Sequence, residues 1–541
     1  MRALNRPRSY LLLLVWLLLG GCQSALPAAT PIAALPTSTN APPPAGPPTT
    51  TPPMATLPPP SPTPYASATP MPSPTLSPTP APLIIRFPPD WMEMMMEAVG
   101  QVAAQMPARQ WLPQPDTTTA PEEADLRLVA GAAENGVLIG REPLALAVPF
   151  THPWTEKSWT DAQDLNLPPC PAPPITNPCW LPWRLLRPPL KAVPLDGLLP
   201  FEPGYPARQS WSLVGAEPEA ATLLAPLLRP FLAPAPLVSL AAVGDLMLDR
   251  SLGYRLTLGD VDVPFVDVAD TLRAADLTVG NLESALGDVG EPVQKSYRFQ
   301  APPIAAESLA RAGFDILSLA NNHALDFGVE ALQQGIGLLL AQEITPIGAG
   351  ADRAAAHAPA LHTVNGVRVA FLAYANVPVE GRGFDTRSWE AGPDRAGLAW
   401  GDPEQIAADV AAARRQADVV VVLLHSGIEY QAQPWSAQMA AAQAAVDAGT
   451  QLVIGHHAHI LQGVQFAPTG VIAYGLGNFA FEIDGPPETA ILRVWLDEEG
   501  VKMLTFVPAF IQFGGAPRLA TPAEAAAIQQ QIEILTLPLN P

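Results

Sequence analysis

Five of the eight histidines fall in three short motifs: Asn321-Asn322-His323, His425 with Glu429 four residues later, and His456-His457-Ala458-His459. Each motif follows an apolar run, and so do Asp245 (after Leu237–Val243) and the pair Asn281 and Glu283 (after Leu277). Carboxylates, an amide carbonyl and imidazoles delivered together suit two adjacent divalent ions. A carboxylate such as Asp245 or Glu283 can bridge them, an asparagine carbonyl can fill a hard position, and imidazoles supply the borderline ones. Such a pair polarises a phosphoryl or similar ester and generates a nucleophile from bound water. His323 would then donate a proton to a leaving group, with Asp326 three residues on to orient its ring. If the chain is extended there, His457 and His459 share one face and His456 does not. Lys295 and Arg298 either clamp an anionic substrate or belong to a solvated loop. Each group also has a plain structural reading: Asp245 as a cap, Glu283 as a surface carboxylate, His323 as a satisfied core histidine.

To meet, these groups need elements that end at one place. Apolar runs at Leu237–Val243, Leu277–Asn281, Phe314–Leu319, Val367–Tyr374, Val419–Leu424, Leu452–Ile454, Val471–Tyr474 and Ile491–Leu496 read as strands. Between them, helical spacing fits Val266–Ala275, Ile304–Ala312, Val329–Ala341, Pro403–Gln416 and Ser436–Asp447. The alternation predicts an α/β fold with helices on the faces of sheets. Asn365-Gly366 and Glu498-Glu499-Gly500 mark hairpins, so antiparallel strands join the set.

Outside 237–515 the composition changes. Arg2, Arg6 and Arg8 precede an apolar stretch and then Leu19-Gly20-Gly21-Cys22, a secretory signal that resembles a bacterial lipobox. That resemblance implies lipid attachment at Cys22 and anchoring to the cell membrane from outside the cytoplasm; an uncleaved apolar anchor is the alternative. Residues 23–82, rich in proline, threonine and serine, read as a disordered tether. A small α/β domain is expected over 83–236, where the segment around Arg141–Phe150 weakly resembles periplasmic solute-binding proteins, and 516–541 reads as a tail with one short helix and a loose end after Thr521. Cys170 and Cys179 would sit in an oxidising compartment, where they either form a local disulfide or, set among Pro168, Pro169, Pro171 and Pro178, stay reduced. A net charge of -21 argues against a nucleic-acid partner.

The ordered series Gly244-Asp245, Asn281-Leu282-Glu283, Asn321 to Gly328, His425 to Tyr430, Gly455 to His459 and Tyr474 to Phe479 resembles the CapA family of poly-γ-glutamate capsule biosynthesis proteins. That family is similar to calcineurin-like metallophosphatases, which implies a four-layered αββα sandwich with a dinuclear centre of manganese, iron or zinc type. The resemblance implies Asp245, Glu283, Asn322, His425, His457 and His459 as ligands and His323 as the acid. Met247 stands where the metallophosphatase pattern Asp-x-His has an imidazole. Implied partners are an anionic polymer or phosphoester and components of a capsule synthase. Two other functions fit the same residues: a secreted metal-dependent phosphoesterase unrelated to capsule, and a non-catalytic binding module.

Overall fold

The computed structural model describes residues 81–116, 124–380, 383–482 and 485–540. Cys22, the apolar stretch before it and most of the expected tether lie outside these residues.

Two sheets carry the residues singled out above. The first runs in the order Thr345–Ile347, Ile316–Ser318, Leu277–Leu282, Val238–Met247, Glu488–Asp497, Gly500–Ile511 and Pro517–Leu519, with Asn478–Phe481 also paired to Val238–Met247. The second runs Ala360–Val364, Val367–Asn376, Val419–Ser426, Leu452–His456, Gly470–Ala473 and Val464–Ala467. Their central strands are parallel, and parallel strands covered on both faces read as unbroken apolar runs. Val419–Leu424, buried throughout, is such a run.

Strand alternation assigns the two faces of the second sheet. Val369, Phe371, Ala373, Val419, Val421, Leu423, Leu452 and Ile454 pack in one cluster with Leu240, Ala242, Val279 and Ile316 of the first sheet. Their neighbours Ala370, Leu372, Val420, Val422, Leu424 and Val453 pack instead against Ile406 and Val410 of helix Pro403–Ala413 and Ala441 and Ala445 of helix Ser436–Asp447. Leu272 and Leu309, from helices Ala269–Arg273 and Ala305–Ala312, join the cluster that holds the first sheet. The result is a four-layered αββα sandwich. Asn365, at φ 53°, and Gly366, at φ 89°, turn the hairpin into Val367–Asn376.

Residues 83–236 supply a third sheet, ordered Trp111–Pro115, Leu83–Phe87, Leu126–Ala130, Arg208–Gly215, Val137–Pro149 and Cys179–Pro182. Strand Val137–Pro149 pairs with Arg208–Gly215 up to Pro143 and then with Cys179–Pro182 and Leu190–Val193. Helices Met92–Gln105 and Pro218–Leu228 cover the sheet, although Met92 and Met96 face solvent. Cys170 and Cys179 are joined in a disulfide.

Two segments outside 237–515 send side chains into the sandwich core. Phe150 packs in the main sandwich cluster, against Phe466 and Phe506. The helix expected after Thr521 is Pro522–Thr536, started by a Thr521–Glu524 capping box, and Ile528 and Ile532 anchor it in that cluster.

Candidate metal centre

Pairing register brings the polar strand ends together. Asp245 lies opposite both Asn281 and Asn478 in the first sheet, Asn281 lies opposite Ser318, and His425 lies opposite His456 in the second. Gly244 and Gly455 let the backbone close in around them. A Cβ on Gly244 would fall 1.9 Å from the Gly477 carbonyl oxygen, and one on Gly455 would fall 1.9 Å from that of Tyr474.

Asparagines brace the donors. Asn281 Nδ2 donates to Asp245 Oδ1 at 2.8 Å and lies 3.1 Å from His425 Nδ1. Asn321 Nδ2 donates to Asn281 Oδ1 at 3.1 Å, and Asn321 Oδ1 accepts the His323 N–H at 3.0 Å. Asn322 Oδ1 stands 2.7 Å from His425 Nε2, and Asn478 Oδ1 stands 2.8 Å from His459 Nδ1. Asp245 Oδ2 is 3.4 Å from His459 Nδ1, and Glu283 Oε1 is 3.5 Å from His425 Nε2 and 3.9 Å from His459 Nε2.

Three overlapping sets of donor atoms result, each gathered within 4.8 Å: Glu283, His425 and His457; Asp245, Glu283 and His459; and Glu429, His457 and His459. All but Glu429 are buried. The cluster fits a cation on two counts. Both Glu283 carboxylate oxygens and His457 Nδ1 are buried without a hydrogen-bond partner among the described residues, a costly state unless something else takes the lone pairs. The ion-pair partners of Asp245 and Glu283 among the described residues are histidines, not lysine or arginine.

The electrostatics agree. Burial pushes His459 down, but the carboxylates of Glu283 and Asp245 outweigh it and hold the proton to about 10. Asp245, which burial alone would raise, is held far below the usual carboxylate range by the His459 hydrogen bond and the charges of His456 and His425. His457 is driven down by burial, then by His425 and His459, which leaves a neutral imidazole suited to ligation.

His457 and His459 do not meet by strand alternation. Strand Leu452–His456 ends before them, and both take left-handed backbone, at φ 84° and 56°. Two such non-glycine residues cost about 1–3 kcal/mol each and persist only where the surroundings fix them. His456 turns the other way and places Nε2 3.1 Å from the Val243 carbonyl.

Beside the cluster, His323 stacks on Phe299 with ring centroids 4.4 Å apart. Its Nδ1 lies 2.6 Å from Asp326 Oδ2, an oxygen that also accepts the Phe299 N–H at 2.9 Å. Met247, in place of an imidazole, packs in an apolar group with Phe299 and Phe481. Lys295 and Arg298 do not form a joint clamp. The Lys295 ammonium is fully buried and bonded to Asp326 Oδ1 at 2.7 Å, while Arg298 is exposed and donates to the Val293 carbonyl at 3.3 Å.

A profile described as bacterial capsule synthesis protein PGA_cap matches residues 239–483. The chain is 30% identical over 296 residues to capsule biosynthesis protein CapA of Bacillus anthracis, covering 53% of this chain and 70% of that one. This chain belongs to the CapA family. A second CapA relative, the PGA biosynthesis protein of Bacillus subtilis, is 32% identical over 253 residues, covering 45% of this chain and 63% of its own. Among solved structures, a phosphatase from Mycoplasma pneumoniae aligns with 54% of this chain and 97% of its own at 12% identity and a TM-score of 0.34. A phosphate transport receptor from Vibrio cholerae aligns with 28% and 94% at 9% identity and a TM-score of 0.21. In this CapA-family chain, Asn281 and Asn478 lie inside motifs legible in the sequence yet carried no assigned role. Glu380, which reaches the same site, had no local signal at all.

Proposed function

We infer that this CapA-family chain works outside the cytoplasm, held to the membrane by lipid on Cys22, in synthesis or export of a capsular anionic polymer such as poly-γ-glutamate, alongside capsule synthase components. Its sandwich holds two divalent ions of manganese, iron or zinc type. The observation that carries this reading is that two of the donor sets, one completed by His425 and His457 and the other by Asp245 and His459, share Glu283, the arrangement a bridging carboxylate needs. Asn322 Oδ1, beside His425 Nε2, adds a hard donor.

When bound, the ions polarise a phosphoryl or related ester and acidify a coordinated water. The chain's own residues do the rest. Asp326, fixed by Lys295 and the Phe299 N–H, holds His323 by Nδ1 and leaves Nε2 as the nitrogen that can give a proton to a leaving group. Phe299 packs against that ring, with centroids 4.4 Å apart.

Metal analysis of purified wild type, His457→Ala and His323→Ala tests the reading, combined with a screen of phosphoester substrates. His457→Ala should lose metal, because a ligand is gone. His323→Ala should keep metal and lose turnover, because only a proton donor is gone. Full metal content in His457→Ala would count against the dinuclear site. Mass spectrometry of membrane-extracted protein tests the anchor: an unmodified Cys22 with the apolar stretch still attached argues for an uncleaved span.

A further inference from the structure

Glu380 ends the short strand Val379–Glu380, which pairs with Phe384–Asp385 apart from the two large sheets. Its side chain, 9% exposed, turns inward. Oε1 accepts from Asn322 Nδ2 at 3.1 Å and lies 3.4 Å from His323 Nε2, and Oε2 lies 2.9 Å from Lys295 Nζ. Lys295, with no side-chain exposure, sits 5.1 Å from the Trp389 ring centre and already pairs with Asp326. Asp326 already supplies this buried ammonium with one counter-ion, so Glu380 is a second. A second carboxylate brought out of water onto the same cation carries a desolvation cost of its own, and it covers the one His323 nitrogen that Asp326 leaves open.

We propose that Lys295, Asn322 and His323 form a carboxylate-binding subsite, filled here by the chain's own Glu380, and that the carboxylate of another aliphatic acid takes the same place when Glu380 leaves it. Two contacts support this assignment: the Asn322 amide N–H donates to one carboxylate oxygen and the Lys295 ammonium lies 2.9 Å from the other, with His323 Nε2 beside them. The subsite rests on the proposed function only where His323 is called the proton donor; the binding itself does not depend on it. Where both hold, Glu380 is an internal competitor that covers the donor until a ligand carboxylate displaces it. Lys295 then meets an anion as expected from the sequence, but as a buried receptor and without Arg298.

The test uses the full-length protein and titrates glutarate, with glutaramide and inorganic phosphate as comparison probes, by calorimetry and by thermal shift. Glu380→Ala should bind glutarate at least tenfold more tightly than wild type, with no gain for glutaramide. The Lys295→Met, Glu380→Ala double variant should lose that gain. Glu380→Gln keeps the side-chain shape and weakens the hold on Lys295, so it should fall between wild type and Glu380→Ala. If glutarate binds Glu380→Gln and Glu380→Ala no better than wild type, the subsite is wrong. If Glu380→Ala prefers phosphate to glutarate, the carboxylate assignment is wrong. Metal content measured on the same samples separates the two readings: normal metal without a glutarate gain overturns the subsite alone, whereas a glutarate gain in protein that binds no metal overturns the metal centre alone.

Discussion

Asp245 Oδ2 accepts the backbone N–H of His457 at 3.1 Å, so a carboxylate at the end of one sheet fixes the loop that leaves the other. That bond supports the left-handed turn at His457, and the turn in turn places two imidazoles. Asp245→Ala should therefore do more than delete a ligand. The freed N–H and the loss of loop support should cost about 1–3 kcal/mol, and metal content should fall to that of His457→Ala. Asp245→Asn keeps an acceptor and should recover most of the stability but little of the metal. Urea denaturation beside metal analysis checks both; an Asp245→Ala protein as stable as wild type would show that the turn holds itself.

The two glycines that let the sheets converge give a second expectation. Gly244→Ala or Gly455→Ala places a Cβ 1.9 Å from a backbone oxygen, where no side-chain rotation can relieve the clash. Each should destabilise by about 3 kcal/mol or more, the upper end for overpacking. Gly337→Ala is the internal control. It lies in helix Gly328–Ala341 with nothing within 4 Å of the added Cβ, and should stabilise by about 0.5–1 kcal/mol. Denaturation midpoints of the three variants settle the ranking.

The parts of this design legible in sequence were those written as strand-end chemistry. Asp245, Glu283, Asn322, His425, His457 and His459 converge because parallel strands bring their C-terminal ends to one edge, which the alternation of elements implies. What sequence could not supply was backbone handedness and long-range company. Alternation was the wrong reason for the meeting of His457 and His459, because left-handed φ at non-glycine residues carries no reliable sequence mark. Glu380, 58 residues from Asn322, sits in a segment whose composition is that of any loop. Phe150 and Ile528 lay beyond the expected limits of the sandwich because an apolar residue does not reveal which core it enters.

Lys502 makes stability depend on pH. Burial, then the charge of Arg187, pushes its ammonium down to about 7. The unfolded chain therefore binds more protons than the folded one above that value. The penalty is full below about pH 7 and is relieved as pH rises toward the unfolded pKa, so stability should climb between pH 7 and 9.5 by up to about 1.4 kcal/mol per pH unit. Lys191, lowered by burial to about 8, adds to the same slope. Lys502→Met should flatten the rise to the part due to Lys191. A wild-type rise no steeper than that of Lys502→Met from pH 7 to 9.5 would show that this amine is solvated in the folded protein.

The last expectation concerns the junction between 83–236 and the sandwich. The contact is buried and apolar at its centre: Phe150 against Phe466 and Phe506, at ring separations of 5.3 and 6.1 Å, and Met503 beside Trp183 and Ala192. Polar groups close its edge, with Arg187 Nη1 on Asp497 Oδ2 at 2.7 Å and Lys502 Nζ on the Arg184 carbonyl at 3.0 Å. A part-exposed ion pair such as Arg187–Asp497 contributes about 1 kcal/mol or less, whereas Phe150→Ala removes a ring from the main core and should cost about 3–5 kcal/mol. Because that ring enters the sandwich, the loss should appear in the unfolding of the sandwich and not in that of 83–236 alone. Residues 237–541 expressed without the preceding segment should accordingly bind hydrophobic dye and melt below the full chain, with Phe466, Met503 and Phe506 uncovered. Calorimetry of full-length wild type and Phe150→Ala decides the matter: one shared transition shifted downward fits a joint core, whereas two transitions with the sandwich peak unmoved would mean that the junction is only a surface contact.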